Sequence, residues 1–297
     1  MRGIPNFLSL VVLERTVAYM SLSKAADEMH IALSAASRRI GLLEDEFGVG
    51  LLRRLPGGGV EPTDSGMALA AHVRILMRNV DQMTRDMRDY AQGARGHVRI
   101  HANVSALSSD LPMQLATFAT ARPEIKLEVR EARSIDVVKS LKSNEADVGV
   151  VVGEHLLSGL QCAEYKVDRL CVVVPGTHAI RSDASALADL LDYDFVGFDN
   201  NAAINTLMQV AAAEASKPLR LRVTVQSYEA ACRMIEAGFG LAIMPEQAAR
   251  TYMQALNLRF LTLTDSWANR NMYVCIREGL VTSPVQSVFQ HLIAQSC

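Results

Sequence analysis

The chain has 297 residues, 49% of them hydrophobic and 5% aromatic, with a formal net charge of −2. That length holds two domains with sizeable cores, the composition favours an α/β protein over an all-β one, and no apolar run reaches membrane-spanning length. Bulk charge does not mark a nucleic-acid binder either: residues 1–95 carry 12 Lys and Arg against 11 Asp and Glu, so any DNA argument must rest on local clusters.

The chain opens on a predicted helix, Asn6 to Tyr19, with Phe7, Leu10, Val11 and Ala18 as its buried face. No positive cluster precedes the apolar run and no small-residue cleavage site follows it, so it reads as a core helix and the chain is expected to be cytoplasmic. A second helix spans Ser23 to about His30, with Ser23 as N-cap and Ala25, Ala26 and Met29 on one face. A third starts at Ser34, again read as an N-cap, and runs to Phe47 with Ile40, Leu43 and Phe47 at helical spacing. Its first turns hold Ser34, Ala35, Ser37, Arg38 and Arg39, short polar residues and cations suited to a helix tip that enters a DNA major groove. On spacing alone, an ordinary helical hairpin with a solvated basic face fits as well.

After Phe47-Gly48, Leu51 to Arg54 reads as a strand closed by two cations, Pro56 to Gly59 as a turn and Val60 to Pro62 as the returning strand. This adds a wing to the helix pair. No G-K-[ST] follows the glycines, so they are not a phosphate loop. Thr63 then caps a long helix, Asp64 to about Ala91. Leu69, Leu76, Met83 and Tyr90 recur every seven residues, and Val73, Val80 and Met87 lie four after them. A seam this narrow suits the pairing of two chains rather than packing on one globule.

Gln92 to Gly96 breaks the helix and marks a domain boundary. His97 to His101 alternates as a strand; its two histidines lack a third metal ligand and are read as structural. A helix begins near Ala106, Ile125 to Val129 is a strand, Ile135 to Leu141 a helix and Ala146 to Val152 a buried strand. This β-α-β-α-β order implies a parallel sheet. The pattern repeats: strand Leu170 to Val174, helix Ala184 to Leu191, strand Phe195 to Gly197, helix Ala202 to Ala215, strand Leu219 to Val225, helix Tyr228 to Ala237 and strand Gly240 to Met244. A last helix, from Pro284 to about Ala294, is expected to return to the first half. The five cysteines are scattered and form no C-x-x-C. Cys162 and Cys171 are nearest in sequence, but Cys171 sits in a buried-strand run, so buried inert thiols are expected.

Ligands of open α/β sheets bind beyond the carboxyl ends of the strands. Those ends hold Asn103, Val104 and Ser105; Arg133 and Ser134; Gly153; Phe198, Asp199 and Asn200; and Gln226, Ser227 and Tyr228. Ser105 and Ser134 stand at expected helix starts, which favours an anion. Enzyme motifs are weak. Ser21-Leu22-Ser23-Lys24 matches S-x-x-K but has no partner motif, and Ala237 to Gly240 lacks the third glycine of a dinucleotide fingerprint.

Five blocks carry a resemblance in register: Leu22-Ser23-Lys24-Ala25-Ala26, Ser37-Arg38-Arg39-Ile40 with Leu43-Glu44, Phe47-Gly48, Leu51-Leu52-Arg53-Arg54 and Pro62-Thr63-Asp64-Ser65-Gly66. They resemble the N-terminal region of LysR-type transcriptional regulators. The chain departs from the family's usual residues at Leu33, where a polar side chain is common, and at Met20, where a glycine is. The resemblance implies a winged helix-turn-helix over 1–62, a dimerising linker helix over 63–92, and a two-part effector domain over 93–297 that is similar to periplasmic binding proteins. Its first subdomain would span about 97–165 and 270–297, and its second about 166–269. It also implies DNA contact through Ser23, Lys24, Ser34, Ala35, Ser37, Arg38, Arg39, Arg53, Arg54 and Thr63. Self-association as a homodimer or homotetramer would use Leu69, Val73, Leu76, Val80, Met83, Met87 and Tyr90. The effector is expected to be a small organic anion in the cleft, with RNA polymerase a further partner and no cofactor. The competing reading is a cytoplasmic hinged small-molecule binding protein whose N-terminal segment only dimerises.

Overall fold

The computed structural model describes residues 5–55, 59–91, 96–199, 203–253, 255–279 and 281–295. It divides into two compact units, Met1–Gln92 and Gly93–Cys297.

The first unit is built from α1 (Phe7–Tyr19), α2 (Leu22–Glu28), α3 (Leu33–Phe47), the antiparallel pair β1 (Leu52–Arg54) and β2 (Val60–Pro62), and α4 (Asp64–Ala91). Its core gathers Leu10, Leu13, Val17, Ala36, Ile40 and Leu43, with Ala70 and Val73 from α4. The buried face of α1 differs from the sequence reading: Phe7 and Ala18 are exposed, while Leu13, Thr16 and Val17 are buried. The run is apolar nearly all round, so the helices packed against it set the phase. Thr16 tolerates burial because its hydroxyl donates to the Val12 carbonyl at 2.7 Å.

Two helix caps also move. Ser21, not Ser23, caps α2, accepting the Lys24 N–H at 3.3 Å. The third helix starts at Leu33 behind Ala32, which offers no side-chain cap, so Ser34 is not its N-cap. Phe47 is exposed where burial was expected. Thr63 does cap α4, accepting the Gly66 N–H at 3.0 Å, and its hydroxyl donates to the Gly50 carbonyl at 2.7 Å. A Cβ on Gly66 would lie 2.1 Å from the Leu51 carbonyl oxygen, so this close approach of helix and wing requires glycine.

The second unit runs β3 (Gly96–Ala102), α5 (Val104–Leu107), α6 (Leu111–Ala121), β4 (Ile125–Glu131), α7 (Ser134–Lys142), β5 (Val148–Val152) and β6 (Leu160–Pro175). It continues through β7 (Ala184–Ser185), β8 (Phe195–Phe198), α8 (Ala203–Glu214), β9 (Leu221–Val225), α9 (Tyr228–Glu236) and β10 (Ala242–Pro245). It ends with α10 (Glu246–Met253), β11 (Leu258–Leu263), β12 (Asn269–Arg277) and α11 (Ser283–Ala294). The main sheet is ordered β4-β3-β5-β12-β6-β11-β7, with β10 also on β6. Strand β3 is parallel to β4 and β5, as the alternating pattern requires.

The 16-residue β6 passes through both halves: Leu160 to Arg169 pairs with β12, and Leu170 to Pro175 with β10 and β11. In the second half Leu170, Val172 and Val174 enter one core while Cys171 and Val173 enter the other, which accounts for the uninterrupted apolar run. The last helix packs Val288, Phe289 and Leu292 into the core of the first half.

Some expectations fail here. Residues 184–191 form no α-helix but the two-residue β7 and one 3-10 turn, Leu187–Asp189. Backbone pairing of β7 with β11 and the Leu187 N–H on the Asp265 carboxylate at 2.8 Å take the bonds a helix would make. The helix near Ala106 is two helices, α5 and α6, the second with Pro112 in its first turn. Burial was expected for the thiols, but Cys162 is only half-buried; it lies opposite Cys275 across β6 and β12, and a hydrogen bond with that thiol lowers its pKa. Burial pushes the Cys232 thiol up to about 11 and raises Cys171 further.

Candidate DNA-binding surface and effector cleft

The DNA-facing residues follow from what α3 buries. Ala36, Ile40 and Leu43 face inward, so Ser34 and Arg38, one turn apart on the other side, are exposed. Ala35 is exposed as well and Ser37 half-buried. Arg39 differs from Arg38: its Nη1 donates to Asn6 Oδ1 at 3.4 Å, the atom that also accepts the Ser9 N–H, which fastens α3 to the start of α1. The end of α3 is acidic, Glu44-Asp45-Glu46. Only its first half is therefore electrostatically compatible with phosphates.

Ser23 and Lys24 are exposed on the first turn of α2, with the Ser23 hydroxyl 3.1 Å from that of Ser21. On the wing, Arg54 is exposed, and Arg53 lies 3.6 Å from the Glu61 carboxylate in an exposed pair. Such a pair contributes little to stability. The hydroxyl of Thr63 is engaged within the fold, as described above. Sequence reasoning missed Glu44. Its carboxylate accepts the N–H groups of Leu51 and Leu52 at 2.7 and 3.1 Å and so holds the wing onto α3. The Glu44→Ala variant leaves the buried Leu51 N–H unpaired and is expected to lose about 1–3 kcal/mol in urea unfolding. Glu44→Gln, which keeps an acceptor, should recover part of this; equal losses would mean the bond is not what the wing depends on.

On α4, Val73 is fully buried in the core of its own unit and Leu69 is half-buried, so these two are not open to a second chain. Arg74 also ties α4 to α1, donating to Glu14 at 3.0 Å. The open stripe starts at Leu76: this residue, Val80, Met83 and Met87 are 45%, 38%, 57% and 57% exposed. The side chain of Tyr90 lies outside the described residues.

In the second unit, the carboxyl ends of β3 and β5 meet the start of α7. Asn103 caps α5, its Oδ1 accepting the Ala106 N–H at 3.0 Å, and its amide donates to Ser134 Oγ at 3.5 Å. Ser134 Oγ accepts the Val152 N–H at 3.0 Å. Gly153 follows at φ +109°, where a Cβ would also lie 2.9 Å from the His155 ring. Arg133 is exposed and donates to Asp136 at 2.8 Å, holding that carboxyl below its ordinary range. Ser105 is buried within the four-residue α5, and Val104 beside it is half-buried. Ser105 is therefore no open helix-start hydroxyl.

From the other half come Phe198, buried at the end of β8, exposed Asp199, and Ser227, whose hydroxyl caps α9 by accepting the Ala230 N–H at 3.2 Å. The Tyr228 ring meets Phe198 edge to face at 5.0 Å. Asn200 lies outside the described residues. Burial raises the Tyr228 hydroxyl well above the ordinary phenol range, with Arg270, Asp168 and Glu131 near enough to act on it. It therefore stays a donor.

That neighbourhood reveals a pair the sequence reading passed over. Asp168 and Arg270 face each other on β6 and β12, where the chain passes between halves, and form a buried ion pair. Arg270 Nε is buried without a hydrogen-bond partner among the described residues. The available signal was a lone Asp and Arg flanking apolar strand runs. A groove of about 760 Å³, lined by Phe118, Arg122, Gln286 and Gln290 among others, lies on α6 and α11 of the first half and contains none of these residues. Among the described residues no His/Cys/Asp/Glu group has metal-site geometry, and no helix is long and apolar enough to cross a membrane. His97 and His101 are both buried in β3, and burial lowers the pKa of His101.

Comparison with known proteins agrees with this layout. Residues 7–67 match the bacterial regulatory helix-turn-helix protein of the lysR family, and residues 91–297 match the LysR substrate binding domain. The RuBisCO operon transcriptional regulator of Allochromatium vinosum is 24% identical over 285 residues, 96% of this chain and 94% of that one. The full-length CbnR structure in complex with its target DNA superposes with a TM-score of 0.67 at 18% identity, covering 98% of this chain and all of the other. The effector binding domain of QuiR in complex with shikimate matches with a TM-score of 0.60 at 16% identity, over 68% of this chain and 98% of that domain. A wing-bearing helix-turn-helix, a long linker helix and a two-part α/β domain thus occur in one chain in the family's order, and the protein belongs to the LysR family of transcriptional regulators.

Proposed function

We propose that this regulator reads DNA with the first half of α3, through Ser34, Ser37 and Arg38, and holds the phosphate backbone with Ser23, Lys24, Arg53 and Arg54. Ala35 lies against the groove, while Arg39 and Thr63 position the helix and wing. The observation that carries this is the charge division of α3, arginines in its first half and acids at its end, with Arg53 and Arg54 exposed on the wing. The protein acts as a homodimer joined along Leu76, Val80, Met83 and Met87, and it works in the cytoplasm, where such DNA is reached.

The effector is a small organic anion held between the halves, near Asn103, Ser134, Gly153, Ser227 and Tyr228, with Arg270 as the buried donor. The free Nε of Arg270 and the protonated Tyr228 hydroxyl favour an acceptor-rich ligand, and the shikimate held by QuiR is a carboxylate. A ligand touching both halves must favour one relative angle of the halves to shift the population. A melting screen of the full chain against small acids, amines and neutral metabolites tests this. An acid at a hundredfold excess over its Kd should stabilise the fold by about 2.7 kcal/mol. The Arg270→Lys variant keeps a cation opposite Asp168 but loses the Nε donor, and the shift should shrink. A full shift in a folded Arg270→Lys chain, or a cationic hit, would sink the anion site.

A further inference from the structure

The tip of α3 carries an apolar surface that the charge argument leaves unused. Leu33, the first residue of α3, is 52% exposed, and Ala32 and Ala35 on either side of Leu33 and Ser34 are exposed too. Ala32 provides no side-chain cap at this end of the helix. Ser34 follows Leu33 directly, and Arg38 lies one turn beyond Ser34. The first side chain of the helix is therefore an exposed one that neither donates nor accepts a hydrogen bond.

In the major groove every base edge offers hydrogen-bonding groups, but only thymine adds an apolar one, the C5-methyl. A leucine pressed against a purine edge or a cytosine amine would desolvate a polar group without replacing its bond, which is unfavourable. Against a thymine methyl it buries apolar surface on both sides. Resting on α3 as the reading helix, we infer that Leu33 is a specificity-determining residue that packs on a thymine C5-methyl in each half-site, with Ala32 and Ala35 completing the apolar surface. The cations then fix the register, and Leu33 excludes cytosine and the purines at that one position.

The test uses the full chain and a duplex selected by that chain from a random-sequence pool. Each thymine is replaced in turn by deoxyuridine, which removes a single methyl group. Binding should fall about three- to tenfold at one position per half-site, the scale expected for one buried methyl with its packing. The Leu33→Ala chain should bind the thymine and uracil duplexes equally, at about the affinity of the parent for uracil. Leu33 is exposed and alanine favours helix, so this variant is expected to fold, which its melting curve checks. Indifference of the parent to uracil at every position would overturn the inference, as would a Leu33→Ala chain that still distinguishes the two at the sensitive position. Arg38→Ala separates the two ideas. If it flattens the preference at one base pair while uracil is tolerated throughout, only the role of Leu33 fails; if it leaves specific binding unchanged at several salt concentrations, the reading helix itself is misassigned and both fail.

Discussion

Aspartate at both Leu76 and Val80 is expected to dissociate the protein into folded monomers and to abolish operator binding at concentrations where the parent chain is saturated. The two side chains are 45% and 38% exposed, so the single chain loses little when they change. In a symmetric pair, each substitution occurs twice, and four carboxylates meet in a seam otherwise made of Met83 and Met87. An unpaired buried charge costs about 3–5 kcal/mol. Four of them match or exceed the roughly 12 kcal/mol that holds a nanomolar dimer together. Sedimentation velocity reads the mass, and far-UV circular dichroism reads the fold. Val73→Asp is the contrasting variant: Val73 is fully buried in its own unit, so the change should unfold that unit rather than separate two intact chains. An unchanged oligomer in the Leu76 and Val80 double variant would place the assembly surface elsewhere.

That contrast also shows which part of the molecule the sequence made legible. The heptad rhythm of α4 is visible in the residue spacing, but spacing cannot say which neighbour covers each turn. The first turns, at Leu69 and Val73, pack against α1 and its companions; the later ones remain open. The same limit governs α1, where an almost continuous apolar run has no intrinsic phase. It governs the caps too, since Ser21 and Ser23 are both serines near a helix start and only backbone geometry selects Ser21. Strands read well where alternation or β-branched runs are forced by burial, as in β3, β5 and the second half of β6. Residues 184–191 misled because Leu187, Leu190 and Leu191 are buried at a spacing that also suits a helix, while long-range pairing with β11 decides the backbone. A rule of topology led to the strand-end positions of Asn103, Ser134 and Gly153, but it could not tell that Ser105 is buried. The Asp168–Arg270 pair and the Glu44 clasp were not legible, because each joins residues brought together only by strand register or a turn.

Arg38→Ala is expected to cost about 1–3 kcal/mol per half-site, and to flatten the preference at one base pair rather than lower binding evenly. The side chain is exposed, one turn above Ser34 on the face away from Ala36, Ile40 and Leu43, so its removal leaves the core of the unit untouched. A dimer carries it twice, which extends the effect on a full operator to about 2–6 kcal/mol if the half-sites act independently. The wing arginines should behave differently. Arg53→Ala and Arg54→Ala each leave a phosphate without its cation, so binding to every sequence should weaken and the salt slope should fall by about 0.9 for each phosphate no longer neutralised. Arg54 should matter more, since Arg53 already lies 3.6 Å from Glu61 and must leave that carboxylate to meet a phosphate. Arg39→Ala is expected to act through stability, because it breaks the tie to Asn6 at the start of α1. Titrations of specific and random duplexes at several salt concentrations separate the three behaviours. If Arg38→Ala lowers specific and random binding by the same factor, Arg38 holds the DNA backbone, and the base-reading role passes to the other exposed residues of the α3 tip.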